Sequence, residues 1–338
     1  MAEDAQLSIA VVVPTNRPAM CMEFLGAWTD VLAGRADVIV MEDAPERTFD
    51  PPHGVRHFSH GEAAAELGED AWIIPQRSSA CRSYGTLKAV ELGADVVWHL
   101  DDDTRPEPGV PYLWRLERIL GRTAPDPSWW NTLGHVRSRL GELYPRGYPY
   151  DIRASRWPVM VHHGLWSNVP DFDGLTQLAM PDYRLWPAMQ EAIVPRGAFF
   201  PMCGMNLAFR REAAPLFYMG LQGGDWPYDR FDDMWAGLFA KKIADHLGWA
   251  VSSGAPSVRH DRASDAARNA EIEAPGIAAH EQLWPWVAAQ RLSYHTAIDC
   301  YEELAAYLGA DWGRMNHYWR SLSVAMGLWT QHARKALG

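Results

Sequence analysis

The sequence predicts an α/β fold in which a largely parallel sheet is covered by helices, and three observations carry that prediction. β-Branched apolar runs at 8–13 (SIAVVV), 37–41 (DVIVM) and 95–100 (DVVWHL) read as buried strands. Between the second and third, residues 78–92 place Ala80, Tyr84, Leu87 and Leu92 at helical spacing, and Gly93 stops the pattern. Each run ends in a polar cluster, at 14–17, 42–43 and 101–103. Ligands of such sheets bind beyond the carboxyl ends of the strands, so these clusters mark the candidate site.

The remaining elements follow in chain order. Residues 121–230 are rich in Pro, Gly, Trp and Tyr with short apolar runs, and predict long loops and short strands forming one wall of a cleft. Residues 232–247 predict an amphipathic helix, with Trp235, Phe239, Ile243 and Leu247 every four residues and Gly248 as the stop. WAVSS and PSVRH then predict short strands ending at His260. From about 278 onward the apolar spacing is helical, with breaks expected at Gly309 and Gly313. The expected organisation is a catalytic domain over 1–265 and a helical extension over 266–338.

Composition narrows the function. The 338 residues carry 31 Lys plus Arg against 42 Asp plus Glu, a net charge of −11, which argues against a basic nucleic-acid-binding face. At 48% hydrophobic and 22% charged residues, the chain has the makings of a full core. Cys21, Cys81, Cys203 and Cys300 are far apart and form no C-x-x-C pair, so neither a zinc knuckle nor a disulfide framework is expected. The first residues have acids where a signal peptide needs bases, and no apolar stretch is long enough to span a membrane; a cytoplasmic chain is expected. There is no G-x-G-x-x-G and no Walker loop, so neither flavin nor NAD is expected. Trp, at 17 copies, is the compositional outlier and suits both packing and a wide cleft.

Several constellations carry chemistry. In an extended chain Asp101 and Asp103 point the same way and could share one hard cation; an acidic turn or helix cap is the alternative. His260, at a strand end, could complete an oxygen-rich Mn²⁺ site. Asp232 and Asp233 open a predicted helix, either as caps or as carboxylates that act as base or orient hydroxyls. Arg146, Arg153 and Arg156 lie among aromatics and prolines, and guanidinium forks suit diphosphate oxygens. Arg82, near a helix start, could likewise meet phosphate. The Gly residues of His163-Gly164-Leu165-Trp166 and Cys203-Gly204-Met205-Asn206 permit close backbone approach.

Together these segments resemble the reversibly glycosylated polypeptide family, whose plant members are UDP-arabinopyranose mutases (glycosyltransferase family 75). The resemblance rests on PTNRP at 14–18, SACRSYG at 79–85, the triple Asp at 101–103, NTL at 131–133 and RGYPYDIR at 146–153. HGLW at 163–166, NVPDFDGLTQL at 168–178, FPMCGMNLAFRRE at 200–212 and RFDDMWAG at 230–237 continue it in the family's order. It implies a GT-A type, Rossmann-like nucleotide-sugar-binding fold with a helical C-terminal layer. It also implies a divalent metal, Mn²⁺ or Mg²⁺, and a mutase that interconverts the pyranose and furanose forms of a sugar returned to the same nucleotide.

On this resemblance the metal ligands are Asp101, Asp103 and His260, and the reversibly glycosylated arginine is Arg146, with Arg153 the second arginine of its motif. Asp232 and Asp233 join these as catalytic candidates. Substrate contacts are expected from Thr15, Asn16, Arg17, Glu42, Asp43, Arg82, Asp102, His163, Trp166 and Asn206. Asn16, Glu42-Asp43-Ala44 and Asp261-Arg262 depart from the plant pattern, and bacterial antibiotic-pathway relatives use GDP-sugars such as GDP-L-galactose, so the nucleotide is UDP or GDP. The expected partner is that nucleotide-sugar, alongside further copies of the chain in a homo-oligomer. The alternatives are a conventional glycosyltransferase with a separate acceptor and a non-catalytic nucleotide-sugar-binding subunit.

Overall fold

The structure is a computed structural model describing residues 7–134, 136, 138–139, 141–261 and 264–338. Its elements in chain order begin β1 (Ile9–Thr15), α1 (Pro18–Leu32), β2 (Asp37–Glu42), β3 (Val55–Phe58), α2 (His60–Leu67), α3 (Arg82–Glu91) and β4 (Val96–Leu100). There follow β5 (Thr104–Pro106), α4 (Tyr112–Leu120), β6 (Thr123–Pro125), β7 (Arg156–Asn168), α5 (Gly174–Ala179), β8 (Glu191–Ile193) and β9 (Asn206–Arg210). The chain closes with α6 (Asp232–Leu247), β10 (Ala250–His260), α7 (Ala266–Ala289), α8 (Ala297–Asp311) and α9 (His317–Leu337).

One sheet runs in the order β3-β2-β1-β4-β9-β7-β10-β5, with β6 on β7 and β8 on β10. β3, β2, β1 and β4 are mutually parallel, β9 is antiparallel to both β4 and β7, and β10 runs parallel to β7. This is the expected α/β class: a Rossmann-like parallel half continued through one reversed strand, the GT-A arrangement. Its consequence is positional. The carboxyl ends of β1, β2, β4, β7 and β10 and the start of β9 share one edge, where Thr15, Glu42, Leu100, Asn168, His260 and Asn206 stand.

Both faces of the sheet are covered. α1 turns Cys21, Phe24, Leu25, Trp28 and Leu32 inward, a helical stripe. Trp28 meets Trp98 edge-on at 5.4 Å and Tyr112 at 5.1 Å. Burying a side chain of this size contributes roughly 1.5–3 kcal/mol. On the other face, α3 and α6 pack in one apolar layer with α8 and α9, which holds Val12, Tyr84, Phe239, Leu304, Trp319 and Trp329. The Trp329 indole donates to Pro215 O at 2.8 Å, tying α9 to the segment after β9. Much of the Trp surplus is therefore packing. Among the described residues, no helix is long and apolar enough to cross a membrane.

Several expectations need correction. The stretch 121–230 is not only loops and short strands: β7 is 13 residues long and sits inside the sheet. WAVSS and PSVRH form one strand, β10, interrupted by a register shift between Gly254 and Val258. Gly309 does not break a helix, because α8 runs through it; Gly313 falls in the turn before α9.

Gly164 in β7 lies against Asn206 in β9. A Cβ there would sit 2.1 Å from Asn206 Nδ2, and that amide is held by Leu165 O, Pro256 O and the Trp98 indole. Gly164→Ala is therefore expected to lower stability by about 1–3 kcal/mol in chemical denaturation. A midpoint equal to wild type would contradict this packing.

Candidate functional site

The residues after β1 and β4 form the centre of the site. Asp101–Asp103 is not extended: Thr104 N donates to Asp101 O at 3.1 Å, closing a tight turn. The expectation that Asp101 and Asp103 converge from an extended chain is corrected accordingly, because the turn sends Asp101 to Arg82 and Asp102 and Asp103 toward Arg17. Asp102 points inward, is 1% exposed, accepts from Thr15 Oγ1 at 2.7 Å and pairs with Arg17. Burial pushes its carboxyl up to about 6 despite Arg17. Arg17 also reaches Asp103 Oδ2 at 3.5 Å.

Asp101 instead meets Arg82, whose Nη2 donates to Asp101 Oδ1 at 2.8 Å. Arg82 is 2% exposed. Its Nη1 donates to Gly204 O at 2.8 Å and its Nε to Ser79 O at 3.1 Å. Burial works against this charge, but Asp101, Asp232 and Asp233 outweigh it and strengthen the guanidinium's hold on its proton. Asp233 accepts from Gly204 N at 2.7 Å, and Asp232 accepts from Ser79 Oγ at 2.6 Å. One hydrogen-bonded chain thus joins the turn after β4, the start of α3, the loop before β9 and the first turn of α6. Burial, with Asp232 close by, pushes Asp233 well above the usual carboxylate range.

His260 closes the other side. Its Nδ1 lies 2.8 Å from Val169 O, and a carbonyl can only accept, so Nδ1 carries the proton. Nε2 faces Asp103 Oδ1 at 3.9 Å. A carboxylate and an imidazole nitrogen turned toward one space are a donor set that suits a divalent cation. Asp101, bound to Arg82, does not join them: among the described residues no three His, Cys, Asp or Glu side chains converge on one point. Arg262, beside Asp261, lies outside the described residues.

Other expected contacts are elsewhere or occupied. Glu42 is 1% exposed and spent internally: it accepts from Thr48 N and Oγ1, clasping the loop between β2 and β3, and lies 2.9 Å from His57 Nε2 without a well-aligned hydrogen bond. Asp43 accepts from Arg77 N at 2.8 Å and meets His60 Nε2 at 2.8 Å. Asn206 is consumed by the clasp on Gly164. Asn16 is exposed just beyond β1. His163 and Trp166 pack edge-to-face at 5.7 Å on β7.

Arg146 and Arg153 are not brought to the acids. Their segment leads into the start of β7, whose Pro158 pairs with Thr123, and Tyr148 lines a hollow with Leu7 and Arg210 at the opposite end of the sheet. Arg146 is exposed in a turn there, while Arg153 stacks on Tyr150 at 4.0 Å and donates to Tyr148 O at 3.1 Å. The direction of β7 decides this placement.

Two residues were missed by the sequence reading. Asp171 adds to the negative field at Cys203, Asp233 and Arg230; it lies inside the NVPDFDGLTQL run, which was the available signal. Asp229, near Asp232, is pushed up to about 6, chiefly by burial. A carboxyl raised in this way binds its proton more tightly folded than unfolded. Between about pH 4 and 6 its contribution to stability therefore falls as pH rises. Asp229→Asn should make the stability-versus-pH curve slope less steeply downward, or rise more, in that window; an unchanged slope would contradict the shift.

Comparison with known proteins extends the likeness beyond these motifs, to nearly the whole chain. A family model described as "Reversibly glycosylated polypeptide" matches residues 4–337. The chain is 34% identical over 331 residues to a probable UDP-arabinopyranose mutase 1 of Pisum sativum, covering 95% of this chain and 89% of that protein. It is 34% identical to UDP-arabinopyranose mutase 1 of Arabidopsis thaliana, covering 95% and 90%. Among solved structures it is similar to a glucosyl-3-phosphoglycerate synthase from Mycobacterium tuberculosis in complex with Mn²⁺, UDP and glucosyl-3-phosphoglycerate. That match has a TM-score of 0.40 and 14% identity, over 84% of this chain and 79% of that one. A mannosyltransferase from Pyrobaculum calidifontis matches with a TM-score of 0.38 and 14% identity, over 98% and 87%.

Proposed function

Because the chain belongs to the reversibly glycosylated polypeptide family, we propose that it is a nucleotide-sugar mutase interconverting the pyranose and furanose forms of a UDP-linked sugar. The observation that carries this reading is the end-to-end likeness to UDP-arabinopyranose mutases, which covers 95% of the chain. The charged network at the carboxyl edge of the sheet supports it chemically. A diphosphate needs cations, and Arg17 and Arg82 stand there among carboxylates that could also hold a metal. Glu42 lends no support to a different nucleotide, since its carboxylate is sealed inside its own loop.

In the proposed reaction the C1–O bond to the diphosphate breaks and its electron pair stays on the phosphate oxygen. The hydroxyl that closes the new ring attacks C1 and loses a proton; the former ring oxygen leaves C1 and gains one. The diphosphate then re-attacks C1, so atoms and protons balance. Asp233, poised by burial to exchange a proton near neutrality, would accept the first proton and return it. Arg82, locked by Asp101, Ser79 and Gly204, would hold the diphosphate in place during ring exchange. Asp103 and His260 would hold Mn²⁺ or Mg²⁺, with Asp101 kept on Arg82. Such a cation neutralises charge gathering on the diphosphate.

The test is incubation of the purified chain with Mn²⁺ and a panel of UDP- and GDP-linked pentoses and hexoses, with pyranose and furanose forms resolved by chromatography. Isomerisation of a UDP-pentose, lost in EDTA, is expected. Transfer of the sugar to an added acceptor without isomerisation would instead establish a conventional glycosyltransferase. Binding without turnover would establish a non-catalytic subunit.

A further inference from the structure

We propose that His163 and Trp166, closed over by Phe200, form a neutral niche that takes hydroxyl groups of the sugar once the segment between β8 and β9 lifts. This rests on the nucleotide-sugar reading above and adds where the sugar ring is held. His163 pairs across β7 with Ser253 of β10 and Leu207 of β9, and is 4% exposed. Its Nδ1 lies 3.2 Å from Ser253 Oγ, whereas its Nε2 is buried with no hydrogen-bond partner among the described residues. The same is true of Trp166 Nε1. Phe200 lies edge-on to the His163 ring at 5.1 Å. Two adjacent rings thus bury two polar nitrogens without partners, and Phe200 stands edge-on to the imidazole of the pair.

Chemistry selects the occupant. Burial pushes His163 down to about 4, so at neutral pH the niche holds a neutral imidazole and an indole N–H. Neither carries the positive charge that favours phosphate. A hydroxyl both donates and accepts, so it satisfies the indole N–H and either tautomer of the imidazole. A buried polar atom without a partner disfavours the closed arrangement, so lifting Phe200 and admitting hydroxyls is favourable.

The Phe200 segment is also tied to the charged network. It contains Gly197, at φ +76°, and ends at Gly204, which Asp233 and Arg82 hold through N and O. Trp166 stands opposite Val258, two residues before His260. The charged edge and the neutral niche are therefore linked by the segment that ends at Gly204 and by the pairing of β7 with β10.

Trp166→Phe keeps the ring and removes the N–H. Titration calorimetry with UDP-arabinopyranose and with UDP should show about tenfold weaker binding of the sugar nucleotide, with UDP unchanged. Equal weakening of both, or no weakening, would overturn the niche. Hydrogen exchange of the amides of Phe199–Cys203 in the ligand-free protein is the second readout. Closure no longer strands the indole N–H in the variant, so exchange should slow several-fold; lost packing alone would speed it, and unchanged or faster exchange would overturn the niche. If wild type binds neither compound, the mutase reading fails and the exchange result alone decides the niche.

Discussion

Arg82→Met should abolish turnover and destabilise the fold by about 3–5 kcal/mol, the effect expected when a buried ion pair loses one partner. Arg82 is 2% exposed and is the common partner of Asp101, Ser79 O and Gly204 O, with Asp232 and Asp233 in its field. A methionine fills the space but leaves Asp101 facing a buried, uncompensated position. Arg82→Lys keeps the charge, yet one ammonium cannot reproduce the planar fork that spans two carbonyls and a carboxylate. It should therefore be folded, intermediate in stability and strongly impaired in kcat. Urea denaturation and steady-state kinetics on both variants measure this. Wild-type stability in Arg82→Met would contradict the network.

Asp233→Asn is expected to reduce kcat by about 10²–10⁴ while leaving the fold near wild type, because the amide oxygen still accepts from Gly204 N. The pH profile carries the sharper signature. Burial and Asp232 raise the Asp233 carboxyl, so it retains its proton well past the usual carboxylate range and loses it as pH rises through the shifted value. The carboxylate must be free to accept the first proton, so the wild-type rate should rise on that limb, and Asp233→Asn should lack it. A variant with the limb intact would assign the proton transfer to another group.

Much of the parallel half was legible because its strands are continuous apolar runs and its polar ends are abrupt. The helix at 232–247 matches its predicted bounds, since its apolar period is unbroken and Gly248 at φ +71° caps it. β7 was not legible. Its HHG centre looks polar, and only the serines of β10 across the ladder show how His162 and His163 are accommodated there. The same limit governs the site. The triple Asp was visible as a strand-end cluster, but the turn bond from Thr104 that parts Asp101 from Asp103 was not. Glu42 read as a ligand contact because its partner His57 lies 15 residues away. Arg146 and Arg153 were expected beside the acids because motif order says nothing about strand direction.

In the proposed reaction the chain breaks and remakes the sugar–diphosphate bond on the same nucleotide. The most direct measurement follows the approach to equilibrium from both sides, starting one reaction with UDP-arabinopyranose and the other with UDP-arabinofuranose. The two reactions should converge on one pyranose-to-furanose ratio, with total nucleotide-sugar conserved and no free UDP accumulating. Failure to converge, or release of UDP in step with sugar loss, would contradict it.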